Sequence, residues 1–110
     1  MPPMHIPKGV LVELLQDVVN GSIVVALPLN IQHHTIYIRG NGTISAGTVQ
    51  LASASANGYS QTFAPIGTAI TVPANGETMV NFGPAVLNCL KVSFPVSVSG
   101  GTASIRYVGN

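Results

Sequence analysis

Cys89 is the one thiol in the chain, and with His5, His33 and His34 it is the only set that could support nucleophilic catalysis through a thiolate. It sits in the alternating run Val86–Val98, between Asn88 and Leu90, where a lone cysteine usually serves as a small buried hydrophobe. A Ser-His-Asp set would have to use Asp17, the sole aspartate, and no Gly-x-Ser-x-Gly elbow accompanies it. Glu13 and Asp17 would share a face of a helix. On a strand they lie about 13 Å apart at ~3.3 Å per residue, which suits plain surface charges better than paired acid–base work. His33 and His34 suggest a metal, yet neighbours on a strand point to opposite faces and do not chelate one ion. An ion on a symmetry axis, taking one histidine per subunit, stays open. The plainer expectation is one packed histidine and one wet one. No catalytic, cofactor-binding or metal-ligating residue is assigned.

Other ligand motifs are equally thin. Neither a P-loop nor a Gly-x-Gly-x-x-Gly opening a helix occurs, and Arg39-Gly40-Asn41-Gly42 reads as a turn. Asn20-Gly21-Ser22 and Asn41-Gly42-Thr43 match the glycosylation acceptor pattern but also read as turns. The four cations, Lys8, Arg39, Lys91 and Arg106, are scattered, so no basic patch exists to neutralise phosphates and no nucleic-acid partner is expected. There is no Trp, which lowers a sugar-stacking reading.

Charged residues make up 6% of the 110, against roughly 25% in an average soluble domain. Hydrophobic residues make up 46%, far too many for a disordered chain. Seven formal charges leave a surface of hydroxyls, amides, glycine and apolar groups. Such a surface suits a protein packed against copies of itself or against other proteins. One cysteine gives no internal disulfide framework. The apolar stretch Ile23–Leu29 is far below the ~20 residues of a spanning helix and contains Pro28, so no membrane partner is expected. The first residues lack the pattern of a signal peptide, which points to synthesis in a cytoplasm.

Positioning any site falls to short strands. Asn-Gly pairs at 20–21, 41–42, 57–58 and 75–76, with Gly100-Gly101, punctuate the sequence with turn chemistry. Between them lie runs rich in Val, Ile, Thr, Tyr and Phe. The even positions Val86, Asn88, Leu90, Val92, Phe94, Val96 and Val98 alternate with Leu87, Cys89, Lys91, Ser93, Pro95, Ser97 and Ser99, giving one apolar face. Pro95 marks an edge or a bulge. Gly100-Gly101 then predicts a hairpin back through Thr102–Val108. Further strands are expected at Ser22–Leu27, Thr35–Arg39, Ile44–Ala52 (with Gly47 as a bulge), Tyr59–Pro65, Ala69–Val72 and Thr78–Phe82. Val10, Leu11, Leu14, Leu15 and Val18 fit either a helix or a strand, and the β-branched valines favour the strand. The fold expected is all-β: a single antiparallel, jelly-roll-like β-sandwich of about eight short strands over residues 10–110.

Residues 1–9 hold three prolines and a glycine and form no regular element. They read as an extended N-terminal arm. Pro2, Pro3, Met4, His5, Ile6 and Pro7 are the candidate assembly interface, with Met4 and Ile6 as apolar anchors, docking on a neighbouring subunit or folding back.

Three stretches carry a family resemblance: Ile38–Leu51, Tyr59–Gly67 and Phe94–Gly109, spanning about two thirds of the chain over residues 36–110. They resemble small β-sandwich virion proteins of tailed bacteriophages. Phe63 stands where those proteins often carry Trp. The resemblance implies a non-enzymatic structural protein of a bacteriophage particle, a capsid decoration (cement) protein or a neck, tail or fibre component. It also implies a virion location, with copies of itself (a trimer by symmetry) and a major capsid or other virion protein as partners. The alternative from another class is a receptor- or carbohydrate-binding module. That alternative depends on whether Tyr37, Tyr59 and Tyr107 face outward.

Overall fold

The computed structural model describes residues 4–54 and 63–110, and every regular element among them is a strand. The strands are β1 (Met4–His5), β2 (Val12–Val18), β3 (Ser22–Ala26), β4 (His34–Ala54), β5 (Ala64–Thr71), β6 (Gly76–Phe82) and β7 (Cys89–Gly109). All belong to one sheet, antiparallel except where β1 runs parallel to β3. The Asn57-Gly58 turn, the start of the Tyr59–Pro65 strand, Pro2 and Pro3 lie outside the described residues.

Two strands of 21 residues form the spine. β4 pairs with β7 from His34↔Gly109 at one end to Ala54↔Cys89 at the other. Along the free side of β7, β2 pairs with its C-terminal half and β3 with its N-terminal half. Along the free side of β4, β6 pairs with its first half and β5 with its second. Four long lanes therefore lie side by side, β2/β3, β7, β4 and β5/β6; the outer two are broken near the middle, where the register between β7 and β4 also slips.

That interruption corrects the expected hairpin. Gly100-Gly101 does not reverse the chain but bends β7, and Asn41-Gly42 likewise lies within β4. Gly42 pairs with Gly101, and the register then slips before Ala46↔Ser99. A Cβ on Gly101 would overlap the carbonyl oxygen of Asn41, and one on Gly42 (φ +107°) would stand 2.7 Å from that of Gly100. Two backbones pass here too closely for any side chain, so glycine serves the crossing rather than a turn. Thr35–Arg39 and Ile44–Ala52 consequently fuse into β4, and the two C-terminal strands into β7. Among the described residues, seven strands, two of them long, stand where about eight short ones are expected.

Residues 10–19 contain the strand β2, as the β-branched valines favour. Gly47 lies at a register slip between Ala46 and Thr48, and Phe94-Pro95 bulges where Thr48↔Val96 gives way to Gln50↔Ser93. A proline there forfeits no ladder bond. One core draws on both sides of the bend: Ile36 and Ile38 with Val49 and Leu51 from β4, Leu90 and Val92 with Ile105 and Tyr107 from β7. Each such side chain, fully withdrawn from water, contributes about 1.5–3 kcal/mol.

Candidate assembly surface

The described part of the arm lies on its own chain. Met4 and His5 pair with Val25 and Ala26, and the Ile6 amide donates to the Ala26 carbonyl at 3.0 Å. Ile6 is 2% exposed and belongs to the core, while His5, Pro7 and Lys8 are exposed. Gly9 N–H then donates to the Gly109 carbonyl at 2.7 Å, fixing the arm's root beside the C-terminus. A groove of about 470 Å³ runs beside the arm, lined by His5, Ile6, Pro7, Lys8, Leu27 and Asn88 among others. Of the two apolar anchors expected in the arm, Ile6 is buried in its own chain's core.

The outer faces of the two halves differ in chemistry. Residues directly paired across strands share a face. On the half built from β2, β7, β4 and β6, one row reads Glu13, Arg106, Tyr37, Met79 and the next Ser104, Arg39, Glu77. Glu13 meets Arg106 at 3.5 Å. Asp17, at φ +50°, accepts from the Asn41 amide at 3.1 Å and from the Thr102 and Ser104 hydroxyls at 3.4 and 3.5 Å. All three carboxylates of the chain thus share one face. On the other half, the row Val24, Lys91, Ala52, Pro65 and the row Ser22, Ser93, Gln50 carry a single charge, Lys91, whose ammonium sits 5.5 Å from the centre of the Phe63 ring.

Bonds at the bend tie the lanes together. Asp17 links β2 to β7 and β4, and Asn75 links the β5/β6 lane to β4 by accepting from Gly42 N–H at 3.0 Å and donating its own N–H to the Gly42 carbonyl at 3.1 Å. The sequence marked Asn41-Gly42 and Asn75-Gly76 as turns but gave no sign that Asp17 meets Asn41 or that Asn75 meets Gly42. The one local signal at Asp17 is its type, since aspartate tolerates the left-handed conformation better than most residues.

The residues weighed for catalysis differ in exposure and in the partners they meet. Cys89 is buried, and His33 is exposed while its neighbour His34 is 1% exposed, the packed-and-wet pair expected of adjacent strand residues. His34 Nδ1 stands 2.6 Å from Tyr107 Oη, and Nε2 stands 2.8 Å from the Ala85 carbonyl. A carbonyl only accepts, so Nε2 carries the proton and Nδ1 accepts from the tyrosine. The ring stacks on Phe82 with centroids 4.7 Å apart. Burial holds His34 below the usual imidazole value, outweighing the Ala85 bond that favours its charged form, and His33 adds a smaller lowering. Burial also pushes Tyr107 above its ordinary range. Among the described residues, no three of His, Cys, Asp and Glu gather as a metal site requires, and no helix is long and apolar enough to cross a membrane.

Tyr107 points inward, Tyr37 lies half-buried on the charged outer face, and Tyr59 lies outside the described residues. No protein-family model matches this chain, and no curated protein matches it.

Proposed function

We propose that this chain is a non-enzymatic structural protein of a bacteriophage particle, a capsid decoration protein that stabilises the shell through repeated subunit contacts. In this reading the bent sheet forms the two layers of a jelly-roll-like sandwich. The observation that carries the proposal is the contrast between the outer faces. One gathers every carboxylate, and the other presents Val24, Ala52, Ser93 and Gln50 with Lys91 as the single charge on its paired rows. A neutral face packs against a protein lattice without stripping water from ions, and the centres of protein interfaces are depleted in charge for that reason. The arm supplies a second contact. Its Met4–Ile6 segment adds to the β3 edge, and the same edge on a neighbouring subunit offers the same bonds.

Quantitative mass spectrometry of purified particles tests this. Hundreds of copies per particle support decoration. A dozen or a few dozen move the chain to a neck, tail or fibre. None overturns the virion reading.

One observation favours a second reading. Tyr37 sits on the outer face between Met79 and Arg106, with Arg39 in the next row, and so offers a ring and donors to a glycan or receptor. Glycan binding that is lost in Tyr37→Ala, with the fold intact, would support the binding module.

A further inference from the structure

Four strands stand at the margins of the sheet, and three of them are blunted against further pairing. β1 is two residues long. β2 slips register twice along β7. β5 carries Pro65 and bulges between Ile66 and Ile70, where the Gln50 amide donates to the Ile66 and Gly67 carbonyls at 3.5 and 3.3 Å. β6 has none of these devices. Its seven residues pair with β4 in seven consecutive steps without a slip, and among the described residues it bonds to β4 alone. A regular, unprotected edge is a template for another strand.

The side chains say which strand fits. Met79, at the centre of β6, is 53% exposed, while Val80 and Phe82 turn to the core. A two-fold axis normal to the sheet keeps outer face beside outer face, so residues of like parity oppose one another. Pairing Gly76–Phe82 with itself over its full length sets Met79 against Met79 and Glu77 against Asn81. A slip of four positions would set Glu77 against Glu77, which like-charge repulsion disfavours. The full-length register therefore joins two exposed apolar side chains and opposes no like charges.

We infer that β6 is a self-association edge, through which two copies of this chain pair antiparallel about Met79 and continue one sheet across both. This contact is separate from the arm and does not rest on the virion reading. The partner is a second copy because the slip-free edge, set against itself, opposes no like charges and brings its two exposed methionines together.

Single-cysteine variants joined by a short thiol-bridging reagent test the register, with the wild type, whose Cys89 is buried, as control. Met79→Cys should link to itself. Asn81→Cys should link to Glu77→Cys in a mixture but not to itself, because those two thiols stand about 13 Å apart at ~3.3 Å per residue. Met79→Lys, which places two ammonium groups face to face at an exposed site, should weaken dimerisation at least tenfold in sedimentation or light scattering while the far-ultraviolet spectrum stays unchanged. A wild type that remains monomeric at its highest soluble concentration overturns the inference. So does Met79→Lys that dimerises as the wild type does, or association that survives Met79→Lys and disappears when residues 1–9 are deleted.

Discussion

The Ala85 carbonyl fixes the tautomer of His34 and with it the direction of the hydrogen bond that His34 shares with Tyr107 across two strands of the core. With Nε2–H committed to the Ala85 carbonyl, Nδ1 is left to accept from Oη at 2.6 Å, and a second ring proton would have to enter a buried site already filled by that hydroxyl. The folded chain therefore resists the proton that the unfolded chain accepts near pH 6.5. Stability is complete above that pH and declines as pH falls below it, levelling off only where folded His34 also protonates. Thermal midpoints between pH 8 and pH 5 check this, and a flat profile counts against it. Tyr107→Phe leaves Nδ1 without a donor and is expected to cost about 1–3 kcal/mol at pH 8.

Gly101→Ala is expected to abolish the fold. Its Cβ would meet backbone, the Asn41 carbonyl, which cannot swing aside as a side chain can. Losses above about 4 kcal/mol are exceptional for one methyl group and need such a clash. Gly21→Ala is the control: it has open space around it and φ +118°, so only backbone strain of about 1–3 kcal/mol is expected. Denaturant unfolding of both variants separates the two cases, and equal losses would refute the crossing as the cause.

Thr48→Val should raise stability. The Thr48 hydroxyl is buried at the register slip and has no hydrogen-bond partner among the described residues. Removing an unsatisfied buried hydroxyl while keeping the branched shape recovers about 1 kcal/mol. An urea midpoint that moves down instead of up contradicts this.

Ile6→Ala should lower stability by about 2–4 kcal/mol, the range for emptying a fully buried aliphatic site. The arm is thus part of the core at this residue, unlike His5 and Pro7 on either side. Pro7→Ala, as an exposed change, should stay within about 0.5 kcal/mol. If both variants unfold at the same denaturant concentration as the parent, Ile6 does not anchor the arm.

Much of this architecture was legible in residue types. Valine-rich alternation marked the strands, Gly47 and Pro95 marked the slips in the ladder, and adjacent His33 and His34 had to part to opposite faces. The bends were not legible. Gly100-Gly101 and Asn41-Gly42 have the chemistry of reversals, and whether such a pair reverses or bends a strand depends on what lies opposite. Here each lies opposite the other, a fact of pairing over some sixty residues that no local pattern carries. The surface contrast was half legible. Scarcity of charge was plain from composition, but the gathering of Glu13, Asp17 and Glu77 on one face follows only from the register.

The lanes also set an order of events in time. β7 is the strand to which β2, β3 and β4 all bond, and it follows the other described strands in the chain. Asp17 reaches Ser104 across 87 positions of sequence, and His34 reaches Tyr107 across 73. Folding dominated by such distant partners is slow, because each contact closes a long loop before any reward. Until Cys89–Gly109 emerges, the earlier strands have no central lane to join. A chain that stops before Cys89 is then left with unpaired edges and little core.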